Sequence, residues 1–264
     1  MATGVPIGVE GIRLRRVPKA TILLIIVNII IFFITNVSPS TLVPYALTPD
    51  DVYQELGAVP IAIVRGERLW TLFTSIFLHG DLYHLIGNML FLYFFGLYVE
   101  NAMGSGRYLL FYVISGLAAH LFHILSIMAI PREWLLTNYG YTPWIVPAIG
   151  ASGAISGVMG AYLIYYPHSR LTLVYFFVFL PLFIPLPAWM YILFWFITQL
   201  ALGLLVLAGY TYSSIAFWAH IGGFIAGVAL AQFFLDPRIK KYIMYKLLLE
   251  EQGFIIEPYG YEYD

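Results

Sequence analysis

The sequence predicts an all-α membrane protein with six transmembrane helices, and three observations carry that prediction. Of 264 residues, 61% are hydrophobic and only 10% are charged, against roughly 25% charged in soluble domains. No Asp, Glu, Lys or Arg occurs from residue 171 to residue 235. Apolar stretches also recur at about the 20 residues a helix needs to cross a hydrocarbon core of about 30 Å, with ~17 sufficient where flanking residues snorkel.

The first stretch, 20–36, has no small-residue cleavage site after it and runs into Asn36-Val37-Ser38-Pro39. It is expected as a retained span rather than a signal peptide. Residues 37–79 form a long outer loop with its own charges and Trp70, and connections of that length in compact proteins are often functional. Spans are expected at 82–99, 107–128, 150–166, 188–208 and 214–235. The segment from Leu171 to Leu186 is apolar enough to insert, but Pro181, Pro185 and Pro187 remove backbone donors and break a helix. It is expected as a loop lying on the inner face.

Six spans with an inner N-terminus place ten Lys and Arg residues inside and only Arg65, Arg68 and Arg132 outside, as the positive-inside rule requires. Seven spans would put the basic tail outside. The expected organisation is a basic cytoplasmic N-terminus (1–19), a membrane domain (20–235) and a cytoplasmic tail (236–264). In that tail, residues 238–251 are expected as an amphipathic surface helix, followed by a flexible Tyr-rich acidic end. The absence of cysteine excludes disulfides and thiolate chemistry. A net charge of −1 argues against a nucleic-acid partner, and without an internal repeat there is little support for a transporter of inverted halves.

Depth turns the topology into a candidate site. The fourth helix, from about Ser152 to Tyr166, is only about 22 Å long, so its serine end is sunk below the outer surface. His220 is expected about 9 Å along the sixth helix. If Asp81 caps the second helix, His84 and Asn88 lie roughly 5 and 11 Å deep on one face. Gly153, Gly157 and Gly160 on the fourth helix and Gly222, Gly223 and Gly227 on the sixth are small-residue faces that allow close approach. An ionisable residue within a bilayer points by default to function, and His220 is suited to take the proton of Ser152.

No buried Asp or Glu is available as a third member, so the pair would be a dyad. The free amides at the start of the fourth helix, with Asn88 and His84, would hold a developing oxyanion. The irregular backbone from Pro147 to Gly150 is tolerable at depth only beside a polar cavity. His120 and His123 are expected as hydrogen-bonded structural histidines rather than metal ligands, and His168 as solvated. The HExxH pattern of zinc proteases is absent. Glu100 is expected as a structural anchor, pairing with a nearby amide or with Arg107. Neither metal nor cofactor is expected.

The run His79-Gly80-Asp81-Leu82-Tyr83-His84-Leu85-Ile86-Gly87-Asn88, then Gly96 to Glu100, Gly104 to Arg107, Gly150-Ala151-Ser152-Gly153 and Ala219-His220-Ile221-Gly222-Gly223, resembles in order the rhomboid family of intramembrane serine proteases. The resemblance spans roughly residues 65–235. It implies a six-helix rhomboid-like bundle with Ser152 as nucleophile, His220 as base, and His84, Asn88 and the Ser152 amide as oxyanion hole. It also implies a mainly structural His79 at the mouth of the site; His79, Gly150, Gly153 and Gly223 are expected as site-supporting residues. Implied substrates are single transmembrane helices cut near their outer ends; the alternative is an inactive rhomboid-like module that binds membrane proteins. Two positions depart from the family pattern. Trp70 is followed by Thr71 where an Arg is common, and Ser156 stands where an aromatic often stacks on the catalytic histidine. The second departure bears on the support of His220.

Overall fold

The computed structural model describes residues 5–10, 14, 17–130, 143–177, 180–211, 213, 215–241 and 244–245. Its long helices are α1 (Lys19–Val37), α5 (Leu82–Met103), α6 (Ser105–Met128), α7 (Ser152–Tyr165), α8 (Ala188–Leu207) and α9 (Phe217–Phe234). Between α1 and α5 lie the short helices α2 (Pro49–Leu56), α3 (Pro60–Val64) and α4 (Thr71–Thr74). The chain is a multi-pass helical membrane protein. Among the described residues, five helices are long and apolar enough to cross a membrane, and α7, of 14 residues, is a shorter sixth.

The length of α7 follows from its position. It packs against α5, α6, α8 and α9, and every residue from Gly153 to Tyr162 is buried. A helix apolar on all sides belongs in the interior. At about 21 Å it spans less than the hydrocarbon core, which is permissible because its neighbours, and not lipid, surround it. Glycines set the spacing: a Cβ on Gly223 would lie 2.0 Å from the Gly153 carbonyl oxygen, and one on Gly227 would lie 2.0 Å from that of Gly157. Only glycine permits backbones that close.

Glu100 locks the opposite end. Its carboxylate accepts from the Ala20 and Thr21 amides at 2.9 and 2.7 Å, from the Thr21 hydroxyl at 2.7 Å and from the Ser105 hydroxyl at 2.6 Å. A buried charge is thus set against the unpaired first-turn donors of α1. The expected amide pairing holds, whereas Arg107 instead donates to the Leu235 carbonyl at 3.3 Å. These bonds bring the start of α1, the end of α5 and the start of α6 to one face.

The loop expected over 171–186 is a hairpin. β2 (Arg170–Phe177) and β3 (Leu180–Pro187) pair antiparallel, and β1 (Val5–Glu10) adds to the far side of β2 in the order β1-β2-β3. The N-terminal segment is therefore more than a basic tail, and the all-α bundle carries a small sheet. Pro181, Pro185 and Pro187 all lie on β3, an edge strand. Prolines of one parity remove amides from one edge of a strand only, so the other edge still pairs. Of the helix expected over 238–251, residues 238–241 and 244–245 are helical. The remainder of that helix and the acidic end lie outside the described residues.

Candidate active site

The 37–79 connection forms a braced platform for the site. α2 opens on a capping box between Thr48 and Asp51, and amide donors from Leu47 and Thr48 hold the Asp51 carboxyl below its usual range. Arg68, at φ +52°, directs its guanidinium to the Gln54 carbonyl and lies 3.4 Å from the Glu55 carboxylate. Arg68 thus ties this connection to α2 from two residues before Trp70, and the Thr71 hydroxyl donates to the Arg68 carbonyl at 2.7 Å. Tyr53 donates to the His79 carbonyl at 2.8 Å, and Ala58 pairs with Ala148 in an isolated bridge.

Ser75 joins this platform to the start of α7. Its hydroxyl lies 2.9 Å from His120 Nε2, and its carbonyl accepts from the Gly150 amide at 2.9 Å. His120 is therefore hydrogen-bonded and structural, as expected. Gly150 sits at φ +123°, which L side chains rarely adopt, and a Cβ there would lie 2.8 Å from His84 Nε2 and 3.7 Å from Ser152 Oγ. The glycine lets His84 and Ser152 face each other across bare backbone.

Ser152 is the first residue of α7, and no side chain caps that N-terminus. Its Oγ lies 2.8 Å from His220 Nε2. On the far side of the ring, Nδ1 lies 2.8 Å from Gln199 Oε1 on α8. An amide oxygen can only accept, so Nδ1 carries the proton and Nε2 accepts from the serine hydroxyl. His220 is the fourth residue of α9, about 5 Å from its start. That is nearer the helix start than expected, because Ile215 and Ala216 precede the helix instead of extending it. Close packing behind the pair falls at Gly153, where a Cβ would meet the Ala119 Cβ at 2.5 Å, and at Gly223.

His84 and Asn88 both lie on α5 with Asp81 as N-cap; the Asp81 carboxylate accepts from the His84 amide at 2.8 Å. The Asn88 amide donates to His79 Nε2 at 3.0 Å, and the His79 and His84 rings meet edge to face at 5.0 Å. Burial, with the neighbouring His84, lowers the His79 pKa to about 3, so its ring stays neutral and able to accept. Among the described residues no group of three or more potential ligands is placed to hold a metal, and His168 is exposed.

Gln199 and Trp195 were missed by sequence reasoning. The Trp195 ring lies 6.1 Å from the His220 ring at 34°. Ser156, at the position where family members often carry an aromatic, donates instead to the Ser152 carbonyl at 2.7 Å. The available signal was Gln199, the one side-chain amide in the span 188–208, since polar groups in membrane helices form interhelical hydrogen bonds.

A serine–histidine pair at the bare N-terminus of a short buried helix, within a six-helix bundle, defines a rhomboid-type architecture. The chain belongs to the rhomboid family: the rhomboid domain matches residues 66–237. It is similar to rhomboid protease GluP of Bacillus subtilis, 30% identical over 146 residues, covering 55% of this chain and 24% of that protein. Rhomboid protein 1, mitochondrial, of Saccharomyces cerevisiae is 29% identical over 172 residues, covering 63% and 42%. Inactive RHOMBOID-like protein 8 of Arabidopsis thaliana is 30% identical over 102 residues, covering 39% and 24%. The chain spans a quarter to two-fifths of the length of these relatives, and the family includes both serine proteases and inactive members.

Proposed function

We propose that this protein is an intramembrane serine endopeptidase that hydrolyses peptide bonds in or near transmembrane helices of membrane-protein substrates. The observation that carries the reading is the 2.8 Å contact between Ser152 Oγ and His220 Nε2 at the uncapped start of α7. As Oγ attacks the scissile carbonyl carbon, its proton passes to Nε2 and the carbonyl oxygen becomes an oxyanion. The Ser152 amide, the His84 ring and the second N–H of the Asn88 amide are the proposed donors to it. The imidazolium then protonates the leaving amine, releasing one product and an acyl-enzyme. Water, losing its proton to His220, hydrolyses the ester and restores the hydroxyl.

The distribution of Lys and Arg supports a cell-membrane orientation with both termini cytoplasmic and the site opening to the extracytoplasmic side. The chemistry uses no cofactor or metal. The similarity to an inactive member supplies the second reading, a binding module without turnover. Labelling with a fluorophosphonate probe separates the two. Labelling of wild-type protein at Ser152, lost in Ser152→Ala and in His220→Ala, is expected; labelling that persists at another serine in Ser152→Ala contradicts the assignment, and an unlabelled wild type favours the binding module.

A further inference from the structure

We propose that Gln199 and Trp195 are the positioning residues of His220, so that α8 supplies the support that α7 lacks at Ser156. This rests on the proposed serine–histidine chemistry. The two side chains lie four residues apart on one face of α8 and meet the imidazole in two ways. The Gln199 carbonyl oxygen accepts from Nδ1 at 2.8 Å, and the Trp195 ring lies against the ring at 6.1 Å. Trp195 is itself held by Phe224 at 6.1 Å, and Phe224 stacks on Phe196 at 4.6 Å. A second bond, from Trp218 Nε1 to the Gly203 carbonyl at 3.1 Å, fixes α8 against α9.

The choice of an amide follows from the solvent. A carboxylate at this position would orient the ring and stabilise the imidazolium, as in soluble serine proteases, but it would place a charge inside the membrane domain at considerable cost. An amide oxygen fixes the same tautomer without a charge. Because the oxygen accepts only, it leaves the Nε2 lone pair for the serine proton; an amine in its place would donate to Nδ1, put the proton on Nε2 and disable the base.

The test measures kcat and KM against pH for the full chain in detergent, with a generic single-pass transmembrane substrate. Gln199→Leu is expected to lower kcat about 10-fold or more at nearly unchanged KM. Trp195→Leu is expected to lower kcat by a smaller factor, whereas Thr198→Val, which alters a side chain bonded only to the Trp195 carbonyl, leaves it unchanged. Gln199→Glu retains the acceptor, so it should restore most of the kcat lost in Gln199→Leu. It should also move the acid limb of the profile upward by about one pH unit or more, because a facing carboxylate stabilises the imidazolium. The other titratable groups near His220 are His84 on α5 and His123 on α6; both are the same in every variant, and neither α7 nor α8 carries an acidic or basic side chain. A wild-type kcat in Gln199→Leu, or a profile for Gln199→Glu that coincides with wild type, overturns the proposal. Where Gln199→Leu fails to fold, the Gln199→Glu profile decides alone. Activity retained in Ser152→Ala would instead overturn the underlying chemistry, so the two failures are distinguishable.

Discussion

Replacing Gly223 by Ala tests whether helix spacing sets the chemistry. The added Cβ would lie 2.0 Å from the Gly153 carbonyl oxygen, whereas a carbon–oxygen contact needs about 3.3 Å. The oxygen is helix backbone and the Cβ is fixed directly to helix backbone, so neither can swing aside and α7 and α9 must part by roughly 1.3 Å at that level. Ser152 precedes Gly153 directly and His220 lies one turn before Gly223, so the separation falls on the 2.8 Å Oγ–Nε2 contact and stretches it to about 4 Å, beyond hydrogen-bond range. Overpacking of this kind costs about 1–3 kcal/mol of stability, and a displacement of ~1 Å at reacting groups costs about 100-fold in rate. Thermal unfolding in detergent and cleavage of a fluorogenic transmembrane substrate read the two effects separately. Gly87→Ala is the control, since a Cβ there meets nothing within 4 Å. A Gly223→Ala protein with wild-type kcat would show that the α7–α9 spacing does not set the Ser152–His220 contact.

Other consequences concern neighbouring groups. Asn88→Ala should lower kcat about 100-fold with KM little changed, the loss expected of one oxyanion donor; unaltered kcat would remove Asn88 from the site. Because the His79 pKa is lowered to about 3 from an unfolded value near 6.5, its contribution to stability is complete above pH 6.5 and is lost as pH falls toward 3. Melting temperature should therefore drop over that window in wild type and less steeply in His79→Gln, with equal slopes counting against this account. In this cysteine-free chain, a membrane-impermeant thiol reagent should label Ser152→Cys from the extracytoplasmic side only, and should not label Met159→Cys, where the methionine is 1% exposed. Labelling of position 152 from the inner side would contradict the proposed orientation.

The spans were legible because a bilayer imposes length and composition together: α1 and α8 begin or end within one residue of the apolar runs that predicted them. Ser152, His220 and their glycines were legible because each is anomalous in its setting, whether a polar group in an apolar helix or a repeated gap where a side chain should be. The sheet was not. Its prolines argue against a helix but are equally compatible with a loop or an edge strand, and the strand that pairs with β2 comes from more than 150 residues upstream. Gln199, which contacts His220, was not legible because an amide does not stand out in a span as an ionisable group does, although the bilayer favours uncharged polar groups. Arg68 was not legible because a loop cation looks alike wherever it stands, and its bonds to Gln54 and Glu55 come from the fold at a positive φ.

Whether Ser152 is the nucleophile of a membrane protease is decided by cleavage of a single-pass transmembrane substrate by purified wild-type protein and by Ser152→Ala, both reconstituted in the same lipid. Wild type is expected to give discrete products and the variant none, with both proteins showing the same melting behaviour. Cleavage that persists in Ser152→Ala, or a folded wild-type protein that cuts none of a panel of such substrates, would contradict it.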